Sequence, residues 1–142
     1  MTDSTESNKD TVRRMFDEVI NHGKIEVVDE LFDPDFQSVT PMGTLDRDGF
    51  KEYVRMWRAG FDDVHCEVDD LVAEGDRVAW SIRATGTHTG EFMGIPATGN
   101  TVDFDSLNIA NFRNGRGYRH RVMMDLAKMM QQLGVTGGPA PS

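Results

Sequence analysis

Cysteine occurs once in this chain, at Cys66, so no disulfide can form within it. A lone thiol suits a reducing compartment, and a cytoplasmic setting is the expectation. Long apolar runs are missing too. No stretch approaches the roughly 18 residues that a membrane-spanning helix requires, so no membrane association is expected. Positive charge is scarce: 15 Lys and Arg stand against 24 Asp and Glu, giving a formal net charge of −9. The basic residues form no run beyond Arg13 and Arg14, and an acidic surface repels phosphate backbones. A nucleic-acid partner is therefore not expected. The opening MTDSTESNKD is polar and acidic, unlike a secretory or transit signal.

Chemical signatures are missing as well. No His, Cys or carboxylate pair has metal-ligand spacing, and there is no Ser/His/Asp pattern, phosphate loop or dinucleotide fingerprint. Neither a metal nor a cofactor is expected.

What is present is enough for one domain with a real core, at 142 residues. Residues 1–9 and 135–142 read as flexible tails around a single domain at 10–134. Val12, Met15, Phe16, Val19 and Ile20 recur at helical spacing after Asp10, a candidate N-cap. A short second helix carries Ile25, Val28, Leu31 and Phe32 and stops at Pro34. Phe36 to Pro41 suits a short extended piece. Asp46 caps a third helix through Phe50, Tyr53, Val54 and Trp57 toward Phe61.

The period then changes from helical to alternating. Strands are predicted from Val64 toward Ala73, from Arg77 to Thr87, from Thr101 to Arg113 and from Arg116 to Met124. Glu74-Gly75-Asp76 and Asn114-Gly115 supply the turns. A terminal helix follows from Asp125 to Leu133. Helices first and long antiparallel strands after describe an α+β domain. A curved, mostly antiparallel sheet closed by the N-terminal helices would form a cone-shaped α+β barrel around an apolar cavity. Nine methionines suit either plastic core packing or an adaptable wall around a bulky ligand.

Two segments carry a family likeness. GEFMGIPATGNTV, Gly90 to Val102, is similar to the loop G-x-F-x-G-I-P-x-T-G-x-x-V of the SnoaL-like polyketide cyclases. Ile109 to Gly134 resembles their closing hairpin, with RHRVMMD at Arg119 to Asp125 and QQLG at Gln131 to Gly134. The Asp33-Pro34-Asp35-Phe36 step is a weaker match. The resemblance implies a cone of the nuclear transport factor two-like kind, usually oligomeric. It also implies cofactor-free acid/base chemistry by a pocket Asp with a nearby His. The matching carboxylate is Asp125. The family's pocket His falls at Asn111 and the His of its P-D-F-x-x-H step at Val39, while Arg119 and Arg121 replace the Glu and Trp of E-H-W.

Strand alternation then groups the candidates. If Asn111 faces inward, so do Ile109, Leu107 and Asp105. Across the hairpin, Asp125 shares its phase with Met123, Arg121 and Arg119. On this reading Asp125 transfers a proton, its pKa raised by burial, or caps the last helix, or both. Asp105 is a second acid/base group or an ion-pair partner. Arg121 holds an enolate or phenolate oxygen, or forms an interface salt bridge. Asn111 orients a carbonyl but shuttles no proton. Leu107, Ile109 and Met123 contact substrate, and Trp57 and Phe61 are core or pocket wall. His120, out of phase with Asp125, belongs on the surface or at a dimer interface. His88 is a loop residue or a pocket-mouth contact, and His22 and His65 are ordinary surface or strand residues.

The expected ligand is an aromatic polyketide, anthracycline-type in the family's image, held as enolate or phenolate in an apolar pocket. With Asn111 where the cyclases have His, hydroxylation is the preferred reaction, aided by a separate reductase. Aldol ring closure, a non-catalytic binding or dimerisation module, and a small isomerase or epoxide-opening enzyme stay open. A homodimer through the outer sheet face is expected, since exposed apolar sheet needs cover.

Overall fold

The computed structural model describes residues 4–135. A helix α1 (Ser4–Arg14) runs straight into a π-helical stretch (Met15–Asn21). It begins six residues before Asp10, inside the stretch expected as a tail, because Asn8 and Val12 are already buried and α1 lies on the sheet. At the other end Val135 also packs on the core, and residues 136–142 lie outside the described region. The π-helical stretch buries Met15, Phe16, Val19 and Ile20, continuing the apolar stripe from Val12.

A 3-10 turn (Ile25–Val27) leads into α2 (Val28–Leu31). The second helix ends earlier than expected: Phe32 already opens strand β1 (Phe32–Thr40), and Pro34 is accommodated inside it next to a register shift. β1 folds back as β2 (Gly43–Asp46), a strand with no clear alternation in sequence. Helix α3 (Arg47–Gly60) starts where Asp46 accepts the Gly49 amide at 2.7 Å, the cap read from sequence. Strands β3 (His65–Glu74), β4 (Arg77–Thr87), β5 (Thr101–Arg113) and β6 (Arg116–Met124) match their expected spans closely, and α4 (Leu126–Gln132) closes the chain.

The six strands form one sheet in the order β2-β1-β6-β5-β4-β3. All pairs are antiparallel except β1 with β6, which is parallel. Register shifts in β1/β6, β3/β4 and β5/β6 bend the sheet toward the helices. The inner face carries Val78, Trp80 and Ile82 from β4 and Val102, Phe104 and Phe112 from β5, all buried against the helices. This is the α+β cone expected from the sequence.

Candidate active site

β4 leaves no doubt about its inner face, since Val78, Trp80, Ile82 and Ala84 are buried in strict alternation. Residues paired across a ladder share a face, and Val78, Trp80 and Ile82 pair with Ala110, Asn108 and Ser106. The even-numbered residues of β5 therefore point inward. Leu107 and Ile109 lie outside, 66% and 39% exposed, with Asp105 exposed and Asn111 half-buried in the same outward phase.

The Asn114-Gly115 turn has positive φ at both residues and pairs Arg113 with Arg116. Strict pairing from that turn would set Ala110 opposite Arg119. Instead one extra residue in β6 shifts the ladder, so Phe112 pairs with Gly117 while Asn111 pairs with Arg119 and Ala110 with His120. Tyr118 occupies the bulge, its ring under the Arg113 and Arg119 guanidinium groups at 4.5 and 4.9 Å. Arg119 also donates to the carbonyls of Asp35 and Tyr118. The bulge turns His120, Val122 and Met124 inward and sends Arg119, Arg121 and Met123 out.

The expected inward set is thus corrected residue by residue. Asp105, Leu107, Ile109, Asn111, Arg121 and Met123 all lie off the cavity wall. Asp125 is exposed, and its carboxylate accepts the Lys128 amide at 3.1 Å as the N-cap of α4. The cap reading holds, and burial of this carboxylate does not. Trp57 does line the cavity, whereas Phe61 is buried behind it, between Trp57, His88 and Phe92. His120 was expected at the surface; it is buried at the centre.

The cavity lies between α3, the π-helical stretch and the inner sheet face, and its volume is about 80 Å³. Its wall is apolar except at a few points: His120, Asn108 and Ser106 on the sheet, Tyr53 and Arg58 on α3, and Cys66 on β3. His120 is pinned from both sides. Its Nδ1 lies 2.7 Å from Ser38 Oγ and its Nε2 2.9 Å from Asn108 Oδ1. An amide oxygen only accepts, so Nε2 carries the proton, and Nδ1 then accepts from the Ser38 hydroxyl. Asn108 Nδ2 donates in turn to Ser106 Oγ at 3.2 Å. The Trp80 ring stacks on the imidazole at 5.6 Å, and Phe36 and Phe50 pack beside it.

Burial pushes the His120 pKa down to about 4, so the ring is neutral at pH 7. Burial also pushes the Cys66 thiol up to about 12, which leaves it inert. The Tyr53 phenol is likewise pushed up to about 12, chiefly by burial and against a smaller opposing effect of Trp57. Trp57 does not reach hydrogen-bond geometry, and the Tyr53 hydroxyl is left without a partner. Among these groups only the imidazole carries a basic lone pair at neutral pH, and burial makes it a weaker base than a free histidine.

The loop that carried the family likeness closes the cavity from behind. Phe92, Met93, Gly94 and Ile95 make a tight turn with positive φ at both central residues, joined by reciprocal Phe92–Ile95 backbone bonds. Phe92 packs on Trp57 at 4.6 Å. His88 Nδ1 receives the Thr98 amide at 3.2 Å, and Gly90 passes so close to α3 that a Cβ there would stand 2.2 Å from the Ala59 carbonyl oxygen. His88 is thus a fully buried brace for the loop.

Among the described residues no three His, Cys, Asp or Glu side chains gather as a metal site, and no helix is long and apolar enough to cross a membrane.

Known proteins share this fold. IdmH, a proposed polyketide cyclase from Streptomyces antibioticus, is 34% identical over 90% of this chain and 99% of its own, with a TM-score of 0.79. A proposed SnoaL-like polyketide cyclase from Jannaschia sp. CCS1 is 25% identical over 98% of each chain, TM-score 0.86. AclR, a proposed hydroxylase from Streptomyces galilaeus, is 25% identical over 92% of this chain and 96% of its own, TM-score 0.82. No curated protein sequence matches the chain. The family model described as SnoaL-like polyketide cyclase matches residues 10–133, and with IdmH's identity at this coverage, the chain belongs to the SnoaL-like polyketide cyclase family.

Proposed function

We propose that this protein closes a ring on an aromatic polyketide by cofactor-free proton transfer, with His120 as the base. The observation that carries this reading is the neutral imidazole on an apolar cavity wall, with Asn108 and Ser106 beside it. Nδ1 holds the ring's one basic lone pair and is occupied by the buried Ser38 hydroxyl, so a substrate must displace that bond before the imidazole can take a proton from a carbon next to a carbonyl. The resulting enolate oxygen is held by the second Asn108 N–H and the Ser106 hydroxyl, donors already fixed in place. Attack of that enolate on a second carbonyl forms the carbon–carbon bond, and the imidazolium returns its proton to the new alkoxide.

The sequence favoured hydroxylation because Asn111 stood where the cyclases keep a histidine. With Asn111 and Arg121 outside and His120 inside, that preference reverses. Hydroxylation is retained as the second reading on the likeness to AclR; there the carbanion would meet oxygen and a separate reductase would supply electrons. The cavity also narrows the substrate. At about 80 Å³ it falls below the range of roughly 300–1,000 Å³ for small-molecule sites. A four-ring skeleton does not fit this state, so the reading is an aromatic end of one or two rings that displaces the flexible Met15 and Met124.

The test uses 1-tetralone, a two-ring ketone with slowly exchanging protons next to its carbonyl. Wild-type protein in D2O, without oxygen, is expected to speed deuterium uptake at that carbon, and His120→Gln to lose at least about 100-fold of the acceleration. Wild-type protein that gives only the buffer rate would refute the reading.

The proposal extends to assembly. Leu107 and Met123 pair across β5/β6 on the outer face, with Ile109 and Val39 nearby, all exposed. Arg121 and Asp105 on the same face form no salt bridge among the described residues, so two copies related by a twofold axis can exchange them across the apolar patch. A homodimer through this face is part of our reading.

A further inference from the structure

Helix α3 presents Phe50, Tyr53, Val54, Trp57 and Arg58 to the cavity, spaced by three and four residues along one face. Phe50 packs against His120, with ring centroids 6.3 Å apart. Arg58 lies eight residues further on, about 12 Å along the helix axis. The cavity wall is therefore elongated, with the imidazole at one end and a guanidinium at the other.

Arg58 is the one arginine on the cavity wall among the described residues. Its Nη1 donates to the Ile20 carbonyl at 2.7 Å, and no carboxylate among the described residues pairs with it. The rest of the guanidinium lies over Gly23, whose positive φ and missing side chain make the room. A Cβ at Gly23 would stand 2.7 Å from Arg58 Nε and 3.1 Å from Nη2. The planar guanidinium is thus held in position by one backbone carbonyl, while Nε and Nη2 have no acceptor among the described residues. A cation kept at an apolar wall without a counter-charge is suited to one that arrives with the ligand.

We infer that Arg58 is an anion-reading subsite, holding an anionic oxygen at the far end of a flat aromatic substrate whose other end meets His120. The ligand class is a fused aromatic of about two rings with a carboxylate, phenolate or enolate oxygen on its long axis. This rests on the proposed function only in assigning the reacting end to His120. The subsite itself concerns recognition and stands or falls separately.

The experiment compares 2-naphthoate with its neutral isostere 2-naphthamide by titration calorimetry. Wild-type protein is expected to bind the naphthoate at least tenfold more tightly. Arg58→Gln should bring the two affinities within twofold, chiefly by weakening the naphthoate, and Arg58→Lys should keep part of the preference. Gly23→Ala retains the arginine but crowds it, and should lower the preference as well. Equal binding of both probes by the wild type, a preference that survives Arg58→Gln, or no binding of either probe at millimolar concentration would each overturn the inference. If Arg58→Gln fails to fold, the wild-type ratio and the lysine variant still decide. A wild-type naphthoate preference without any tetralone exchange would leave the subsite standing and remove the proton-transfer reading.

Discussion

Ser38 Oγ and His120 Nδ1 lie 2.7 Å apart, joining β1 to its parallel neighbour β6 inside the core. The two residues are direct partners in the β1/β6 register, so the bond fixes the ring's orientation, while the Asn108 oxygen sets its tautomer. Removing the hydroxyl leaves Nδ1 buried and unpaired. Ser38→Ala is expected to lose about 1–3 kcal/mol in urea unfolding, and to change the ¹⁵N shifts of the imidazole. Unchanged shifts would show that Nδ1 takes no hydrogen bond from Ser38.

His120 also makes stability depend on pH. Its pKa falls from 6.5 in the unfolded chain to about 4 in the fold, because burial disfavours the charged ring. Between those values the unfolded state binds the extra proton, so stability rises with pH and is lost as pH falls from 6.5 toward 4. The linked contribution is on the order of 3 kcal/mol over that window. His120→Gln should flatten this acid limb in urea midpoints measured from pH 7 to pH 4.5. A limb of unchanged slope would place the titration elsewhere.

Asp125 separates a cap from a catalytic acid. Its carboxylate accepts the Lys128 amide and is exposed, so Asp125→Ala should cost about 1 kcal/mol of stability. Asp125→Asn, a competent cap, should cost much less. Neither change is expected to slow tetralone exchange by more than about twofold. A loss of 100-fold in the asparagine variant, with stability intact, would restore Asp125 to the chemistry.

Gly90 carries the close approach of the family loop to α3. Gly90→Ala would drive a methyl group into the Ala59 carbonyl oxygen, at 2.2 Å. Backbone cannot yield as a flexible side chain does, so a loss of about 3 kcal/mol is expected by thermal or urea unfolding. Loosening of Phe92 from Trp57 should appear as a change in tryptophan fluorescence. A variant as stable as wild type would mean that the loop is free to lift.

On the outer face, Leu107 and Met123 are 66% and 68% exposed and face each other across the ladder. Leu107→Glu places a charge in the middle of the apolar patch. Wild-type protein is expected to elute as a dimer with light-scattering detection, and the variant as a folded monomer. A wild-type monomer would leave the patch to another partner.

The sequence by itself determined the local elements. Alternation in β4, the Asn114-Gly115 turn and the caps at Asp46 and Asp125 each depend on neighbours within a few residues, and each stands in the structure where it was read. The inner face of β5 follows from its register with β4, where Val78 stands opposite Ala110 across the intervening loop, and that register belongs to the fold. The tertiary structure alone also decided the face of β6. One extra residue at Tyr118 reverses the phase of every side chain after it, bringing His120 in and turning Arg121 out. Side chains alternate with a period of two, so a single-residue shift inverts the face, and its position depends on contacts with Arg113, Arg119 and Asp35, distant or local, that no pattern of hydrophobicity records.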